Sequence, residues 1–93
     1  MIAATFDPDG RRVVLPERSW AHIKSRRPQL TSCLREIMAA VREPTTRSRG
    51  RTPYEEWFFL EEVGPVHWLQ VVVHYEGGEG WIATAFPRRS LPR

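Results

Sequence analysis

Hydrophobic and polar positions alternate with different periods along this chain, and the first change of period lies near Pro16. Before that point, "AATFDPDGRRVVL" (residues 3–15) contains two short extended runs on either side of Asp9-Gly10. An Asp-Gly pair between such runs favours a tight turn between antiparallel strands. The pattern therefore predicts an N-terminal β-hairpin.

Two helices are predicted next. Pro16 and Glu17 suit a first helical turn, and Pro28 disfavours helical geometry at Arg27, so the first helix should span 17–26. The second helix is amphipathic and should end before Pro44, with Thr31 or Ser32 as its N-terminal cap. Its apolar residues recur at helical spacing: Leu30, Leu34, Ile37, Met38 and Val41.

Three strands are predicted in the last part of the chain. They are "YEEWFFLEE" (54–62), "VHWLQVVVHY" (66–75) and "WIATAFP" (81–87), separated by the turns "VGP" and "EGGEG". The middle strand is apolar on both faces, which is typical of a central strand. The preceding segment "PTTRSRGRTP" (44–53) has no periodicity and is either a loop or an irregular edge strand.

The order hairpin, two helices, three strands predicts the fold class. Helices that precede these strands are most economically packed on one face of an antiparallel sheet, which is an α+β fold. We therefore expect one domain over residues 1–93, with two N-terminal helices on one face of a sheet of about four antiparallel strands. A short hairpin should precede the helices, and the basic tail 88–93 should be flexible.

The last hairpin predicts which sheet face is left open. If it closes with Tyr75 opposite Trp81, cross-strand partners share a face and successive residues alternate between faces. The expected partners are Val71 with Ala85, Val72 with Thr84, Val73 with Ala83 and His74 with Ile82. Helices should then cover the face of Leu69, Val71 and Val73. The other face would carry Gln70, Val72, His74, Thr84 and Phe86, whose amide, imidazole and hydroxyl groups suit a site.

Composition limits the functional classes. The formal charge is +3, and the basic excess is arginine, whose planar fork suits phosphate. One cysteine excludes an intrachain disulfide and fits a reducing compartment. The N-terminus lacks the features of a secretory signal, and the apolar runs "WFFL" and "VVV" are too short to span a membrane. We expect a soluble, cytoplasmic protein.

Neither a metal site nor a nucleotide-binding loop is indicated. The three histidines and the cysteine lack the close spacing of zinc ligands. The glycine-rich "EGGEG" joins two strands instead of opening a helix. We therefore expect no metal and no cofactor.

Several motifs together resemble a known nuclease group. They are "W-x-H-I" in the first helix, "x-R-P-Q-L" after it, a second helix ending at proline, the "VVV" strand and the closing "G-W-I-A-T-A-F-P". From about Arg12 to Pro87, the chain resembles the phage and polymorphic-toxin branch of the barnase–EndoU–colicin–RelE-like nucleases. The resemblance implies a small metal-independent ribonuclease, with His22 and Thr84 as site residues. The candidate partners are RNA and an acidic inhibitor protein.

One position departs from that pattern. The family has "H-P-E" after the first helix, whereas this chain has Arg27-Pro28-Gln29. Arginine stays protonated in proteins, so it cannot replace a histidine that acts as an acid or base.

Cleavage of RNA through its 2′-hydroxyl needs a base, an acid and a cation, and the chain offers candidates for each role. His22 and Arg26 share one side of the first helix by their i, i+4 spacing, while Trp20 and Ile23 anchor it. The candidate catalytic residues are His22, Thr84, His74 and Arg26. The candidate RNA-binding residues are Arg27, Arg47, Arg49 and Arg51 for phosphate, and Tyr54 for stacking on a base.

Each of these residues also has an ordinary structural interpretation. A histidine on a short helix is often a surface residue, a strand threonine has ordinary β-propensity, and arginine-rich loops are usually solvated. The remaining aromatic residues of the strands and Cys33 are expected in the core. A noncatalytic RNA- or protein-binding module on the same scaffold is therefore the alternative function.

Overall fold

The computed structural model describes residues 1–64 and 67–92, and these residues form six strands and two α-helices. The strands β1 to β6 are paired in the order β1-β2-β6-β5-β4-β3. Their bounds are Ala3–Phe6, Arg12–Leu15, Thr46–Arg49, Glu55–Glu61, Trp68–Glu76 and Glu79–Arg88. Helix α1 spans Glu17–Arg26, a 3-10 helix spans Pro28–Leu30, and α2 spans Leu34–Arg42.

The α+β class agrees with the sequence analysis, but the expected sheet of about four antiparallel strands is wrong. The sheet has six strands and is mixed, because the N-terminal hairpin joins it instead of only preceding the helices. Strand β2 pairs in parallel with β6, through Val13 with Gly80 and Val14 with Trp81. The arginine-rich segment supplies the sixth strand, since β3 pairs with β4 as an edge strand.

The helix boundaries follow from local signals. Helix α1 has the predicted bounds, and Arg27 has a non-helical φ of −136° before Pro28. The second helix begins later than expected, because residues 28–30 form a separate 3-10 turn. Neither Thr31 nor Ser32 caps it, and the N-cap position is Cys33, which makes no capping hydrogen bond through its side chain.

The main core lies between the helices and one face of the sheet. The predicted face is the one covered, since Leu69, Val71 and Val73 are fully buried in a cluster with helix residues Ile23 and Ile37. The chain as described has no helix that is both long and apolar enough to cross a membrane. The remaining buried apolar members of this cluster are Val13, Leu15, Leu30, Met38, Ala40, Val41, Phe58, Val63, Tyr75, Ile82 and Ala85.

A β-bulge shifts the register of the last hairpin. The predicted pairs Val71–Ala85 and Val72–Thr84 are present, but the bulge after Val72 leaves Ala83 outside the pairing. The predicted partners of Val73, His74 and Tyr75 are therefore wrong by one residue: these residues face Ile82, Trp81 and Gly80. The shift places Ile82 in the core and Trp81 beside His74 on the opposite face.

Gly80 gives a physical reason for this register. A Cβ atom at position 80 would lie 2.8 Å from Cε1 of Tyr75 and 2.9 Å from Cγ1 of Val73. Only glycine lets the Tyr75 ring lie this close to the opposite strand.

The sheet curls around α2. This helix contacts β1, at one edge, as well as β4 and β5, towards the other edge. The turn between β1 and β2 consequently approaches β3 and β4, although the two pairs of strands lie at opposite ends of the sheet order. That approach builds one wall of the site described next.

Candidate active site at one end of the sheet

A pocket of about 750 Å³ lies where the 50–54 loop, the β5–β6 turn and the β1–β2 turn meet. The tight turn between β5 and β6 is made possible by Gly77 and Gly78, both of which have positive φ. The groups that line the pocket include Arg11, Tyr54, Glu55, His74, Glu76 and Trp81. Carboxylate, imidazole and aromatic groups therefore converge at one end of the sheet.

His74 and Glu55 form the central pair of the pocket. They are direct cross-strand partners on β5 and β4, so both side chains leave the sheet on the face away from the helices. Glu55 Oε1 lies 3.0 Å from His74 Nε2. The Trp81 ring packs edge-on against the imidazole, with 5.7 Å between ring centroids. The pair is thus held on both sides, while 40% of the His74 side chain stays exposed.

The second oxygen of Glu55 is also occupied. Its Oε2 atom accepts hydrogen bonds from the Trp57 indole N–H at 2.7 Å and from the Arg51 backbone N–H at 3.1 Å. Burial raises the pKa of Glu55, but the hydrogen bonds from Arg51, Trp57 and His74 outweigh it and hold the pKa below its ordinary value. Glu55 is therefore ionised at neutral pH.

An ionised Glu55 fixes the tautomer of His74. A carboxylate only accepts hydrogen bonds, so Nε2 of His74 carries the proton of this pair. In the neutral imidazole, Nδ1 is then a proton acceptor. Among the described residues no side-chain hydrogen bond involves Nδ1. The arrangement can therefore take a proton from a bound group, with Glu55 as the orienting carboxylate.

Gly50 is needed to place Glu55. A Cβ atom at position 50 would lie 2.8 Å from Cβ of Glu55 and still closer to its Cγ. The Gly50 backbone N–H also donates to the Glu55 carbonyl at 2.8 Å. The glycine in "RSRGR" therefore lets the loop lie directly on the carboxylate.

A charged cluster forms the adjacent wall. Asp7, Asp9, Arg11, Arg47 and Glu56, called here the hairpin cluster, connect the β1–β2 turn to β3 and β4. Glu56 accepts one hydrogen bond from Arg11 and one from Arg47, both at 2.5 Å, and Asp9 accepts a second from Arg47 at 3.1 Å. Burial raises the pKa of Glu56, but its hydrogen bonds to both arginines lower it by more. The net pKa of Glu56 is therefore below its ordinary value.

Asp7 is the buried member of the hairpin cluster. Its side chain is fully buried and accepts hydrogen bonds from the Tyr75 hydroxyl and from Arg11 Nε, each at 2.8 Å. Burial raises the pKa of Asp7, but these bonds hold it below its ordinary value. Burial and the Asp7 carboxylate both raise the pKa of Tyr75, so its hydroxyl remains a donor.

The structure separates the predicted catalytic residues into two groups. His74 lies in the pocket, and Thr84 lies on the same sheet face, opposite Val72 in the neighbouring row. His22 and Arg26 are exposed on α1, in the helix layer on the other side of the sheet. His22 and Thr84 therefore do not converge in one cleft.

The predicted RNA-binding residues also differ in their surroundings. Tyr54 is 70% exposed at the rim of the pocket. Arg49 and Arg51 are exposed beside it, whereas Arg47 is held by Glu56 and Asp9. Arg27 is half-buried and donates to the Arg26 carbonyl at 3.1 Å.

Sequence reasoning missed Glu55, Trp57 and Arg11 as site residues. The alternation along "YEEWFFLEE" contained a signal for Glu55 and Trp57, because residues two apart share a face. Only the pairing of β4 with β5, however, places them beside His74.

The described residues contain no group of three or more His, Cys, Asp or Glu side chains placed to hold a metal ion. The ionisable groups that line the pocket are imidazole, carboxylate, phenol and guanidinium groups. Comparison of the chain with protein-family models, with curated proteins and with solved structures gives no match.

Proposed function

We propose that the protein is a metal-independent ribonuclease that cleaves RNA through the 2′-hydroxyl, with His74 as its base. The observation that carries the proposal is the Glu55–His74 pair in an open pocket, which leaves Nδ1 of His74 as an acceptor. The resemblance of the helix and strand motifs to barnase–EndoU–colicin–RelE-like nucleases supports the same reaction class.

The proposed reaction uses groups of this chain only. Nδ1 of His74 removes the 2′-hydroxyl proton while the 2′-oxygen attacks the adjacent phosphorus. The imidazolium returns that proton to the 5′-oxygen as the P–O5′ bond breaks, which leaves a 2′,3′-cyclic phosphate and a 5′-hydroxyl. Glu55 stabilises the imidazolium through Nε2. The exposed Arg49 and Arg51 precede the pocket-lining residues 52–54 in the chain, and in this proposal they contact substrate phosphates.

Two further residues have supporting roles in this proposal. The Tyr54 ring at the rim offers a surface on which a base can stack. The Thr84 hydroxyl, on the same sheet face as His74, can donate to a phosphate oxygen of the bound strand.

The test is cleavage of mixed RNA in EDTA by the wild type, His74→Ala and His22→Ala. We expect cyclic-phosphate products from the wild type, and a rate about 10²- to 10⁴-fold lower for His74→Ala, the range for loss of a general base. The matched control, His22→Ala, removes the same side chain from the helix layer and should keep the rate at saturating substrate. No cleavage by the wild type, or equal cleavage by His74→Ala, would reject the proposal.

A noncatalytic RNA- or protein-binding module is the second candidate. The separation of His22 from Thr84 by the sheet favours it, as does Arg27 in place of the family's histidine. This alternative expects salt-dependent RNA binding in the same samples with no cyclic-phosphate product.

The biological setting is also part of the proposal. The nuclease resemblance supports a toxin- or phage-effector-like protein that acts in the cytoplasm and is blocked by an acidic inhibitor. An unpaired Cys33 suits a reducing compartment. Co-expression with the product of an adjacent small acidic gene should suppress RNA cleavage, and unchanged cleavage would count against this setting.

A further inference from the structure

Positive charge is concentrated in the helical part of the chain. Residues 17–42 contain six of the 14 basic residues and two of the 11 acidic ones, a formal charge of +4. The rest of the chain has eight basic and nine acidic residues, a formal charge of −1. The helix layer therefore carries the basic character of the protein, whereas the rest of the chain is close to neutral.

One side of α1 presents this charge to solvent. Arg18, His22 and Arg26 are spaced four residues apart, so they form a nearly straight row, which we call the α1 ridge. All three residues are exposed. Consecutive members are separated by about 6 Å along the helix axis, since each residue adds about 1.5 Å.

The ridge cations are unpaired within the structure. In residues 1–64 and 67–92, neither Arg18 nor Arg26 forms an ion pair. The adjoining side of α1 supplies the packing, through buried Ser19 and Ile23. The ridge side chains are thus not needed to hold the helix in place.

Arginine predominates in the ridge, and its planar fork matches phosphate oxygens better than a lysine ammonium does. The His22 imidazole between the two arginines adds an N–H donor for the same kind of acceptor. We propose that the α1 ridge is a docking surface for the phosphate backbone of a nucleic acid, on the side of the sheet opposite to the His74 pocket.

This proposal does not depend on catalysis at His74, so the test uses a nucleic acid that cannot be cleaved through a 2′-hydroxyl. Fluorescently labelled single-stranded DNA is titrated with the full chain at several salt concentrations. The variant is Arg18→Gln/Arg26→Gln. The matched control is Arg35→Gln/Arg89→Gln, which removes two exposed arginines outside the ridge and gives the same net charge.

The ridge variant should lose two phosphate contacts. Its log–log salt slope should fall by about 1.4, and its affinity at roughly 0.1 M salt should fall about 25-fold, given about 0.7 per contact for a single strand. The control should keep the wild-type slope. Circular dichroism should show the same melting curve for all three proteins, because the changed side chains are exposed.

Three outcomes would overturn the proposal. The first is an unchanged slope in the ridge variant, and the second is an equal loss in the control, which would indicate net charge alone. The third is displacement of the DNA by polyglutamate at matched charge, which would indicate an acidic protein as the partner. Absence of RNA cleavage would reject the ribonuclease proposal and leave this one standing.

Discussion

The pocket around His74 and the α1 ridge both consist of charged side chains, but they differ in how those charges are paired. In the pocket, the Glu55 carboxylate is hydrogen-bonded to His74. Beside the pocket, Arg47 donates hydrogen bonds to Glu56 and to the β1–β2 turn. On the ridge, Arg18 and Arg26 extend into solvent. Paired groups keep a fixed geometry, which proton transfer requires, whereas free cations can follow a flexible polyanion.

The largest expected effect on stability comes from the buried carboxylate of the hairpin cluster. Asp7→Ala removes a fully buried carboxylate and leaves the Tyr75 hydroxyl and Arg11 Nε without their partner. We expect a loss of about 3 kcal/mol in the free energy of unfolding, measured in urea. Asp9→Ala, in the same turn but exposed, should cost less than about 1 kcal/mol. Equal losses would mean that burial does not distinguish the two carboxylates.

A substitution in the core should cause the next largest loss of stability. Val71→Ala removes two methyl groups from a fully buried position under the helices and should cost about 1–3 kcal/mol. A denaturant midpoint equal to that of the wild type would contradict the assignment of the covered face.

Acid should first weaken the hydrogen-bonded carboxylates of the pocket and the hairpin cluster. The folded pKa values of Asp7, Glu55 and Glu56 lie below the ordinary values of 3.8 for Asp and 4.5 for Glu. Their stabilising contribution is therefore complete above those ordinary values and is lost as pH falls through the folded pKa values. Urea midpoints should be flat near neutral pH and fall below about pH 5.

The Asp7→Asn variant provides the control for this acid effect. It should lose part of the pH dependence, because one of the three titrating carboxyls is gone. A stability that rises on acidification would contradict the pKa directions.

Trp57→Phe should have a smaller, local effect. It removes the indole N–H that donates to Glu55 and should raise the Glu55 pKa towards its ordinary value. The loss in unfolding free energy should be about 1 kcal/mol. Carbon-detected NMR titration of the Glu55 carboxyl measures the shift. Trp68→Phe, on the neighbouring strand, should leave that titration unchanged.

Local signals explain what the sequence could predict. Pro28 ends α1 through its own ring geometry, and the alternation along β5 identifies the covered face whatever the strand partners are. The parallel β2–β6 pairing and the bulge after Val72 depend on contacts between distant segments. For the same reason, Glu55 could not be assigned to the site before its partner strand was known.

The arginines of the arginine-rich segment also differ in ways that depend on contacts between distant segments. Sequence pattern treats Arg47, Arg49 and Arg51 alike. Of the three, only Arg47 forms ion pairs within the described residues, with Glu56 brought by the β3–β4 pairing and Asp9 by the curl of the sheet. Neutralising Arg47 should therefore reduce stability, whereas neutralising Arg49 and Arg51 should change it by less than about 0.5 kcal/mol. Urea midpoints of the single variants distinguish these cases.

The central claim is that proton transfer belongs to the His74 pocket, and that the α1 ridge on the opposite side of the sheet is a separate docking surface for a phosphate backbone. Its most direct test measures His74→Ala twice, by single-turnover RNA cleavage at saturating protein and by affinity for single-stranded DNA. The account predicts a cleavage rate at least about 10²-fold lower, with the DNA affinity within about twofold of the wild type. An unchanged saturating rate, or a defect that lies wholly in DNA affinity, would contradict it.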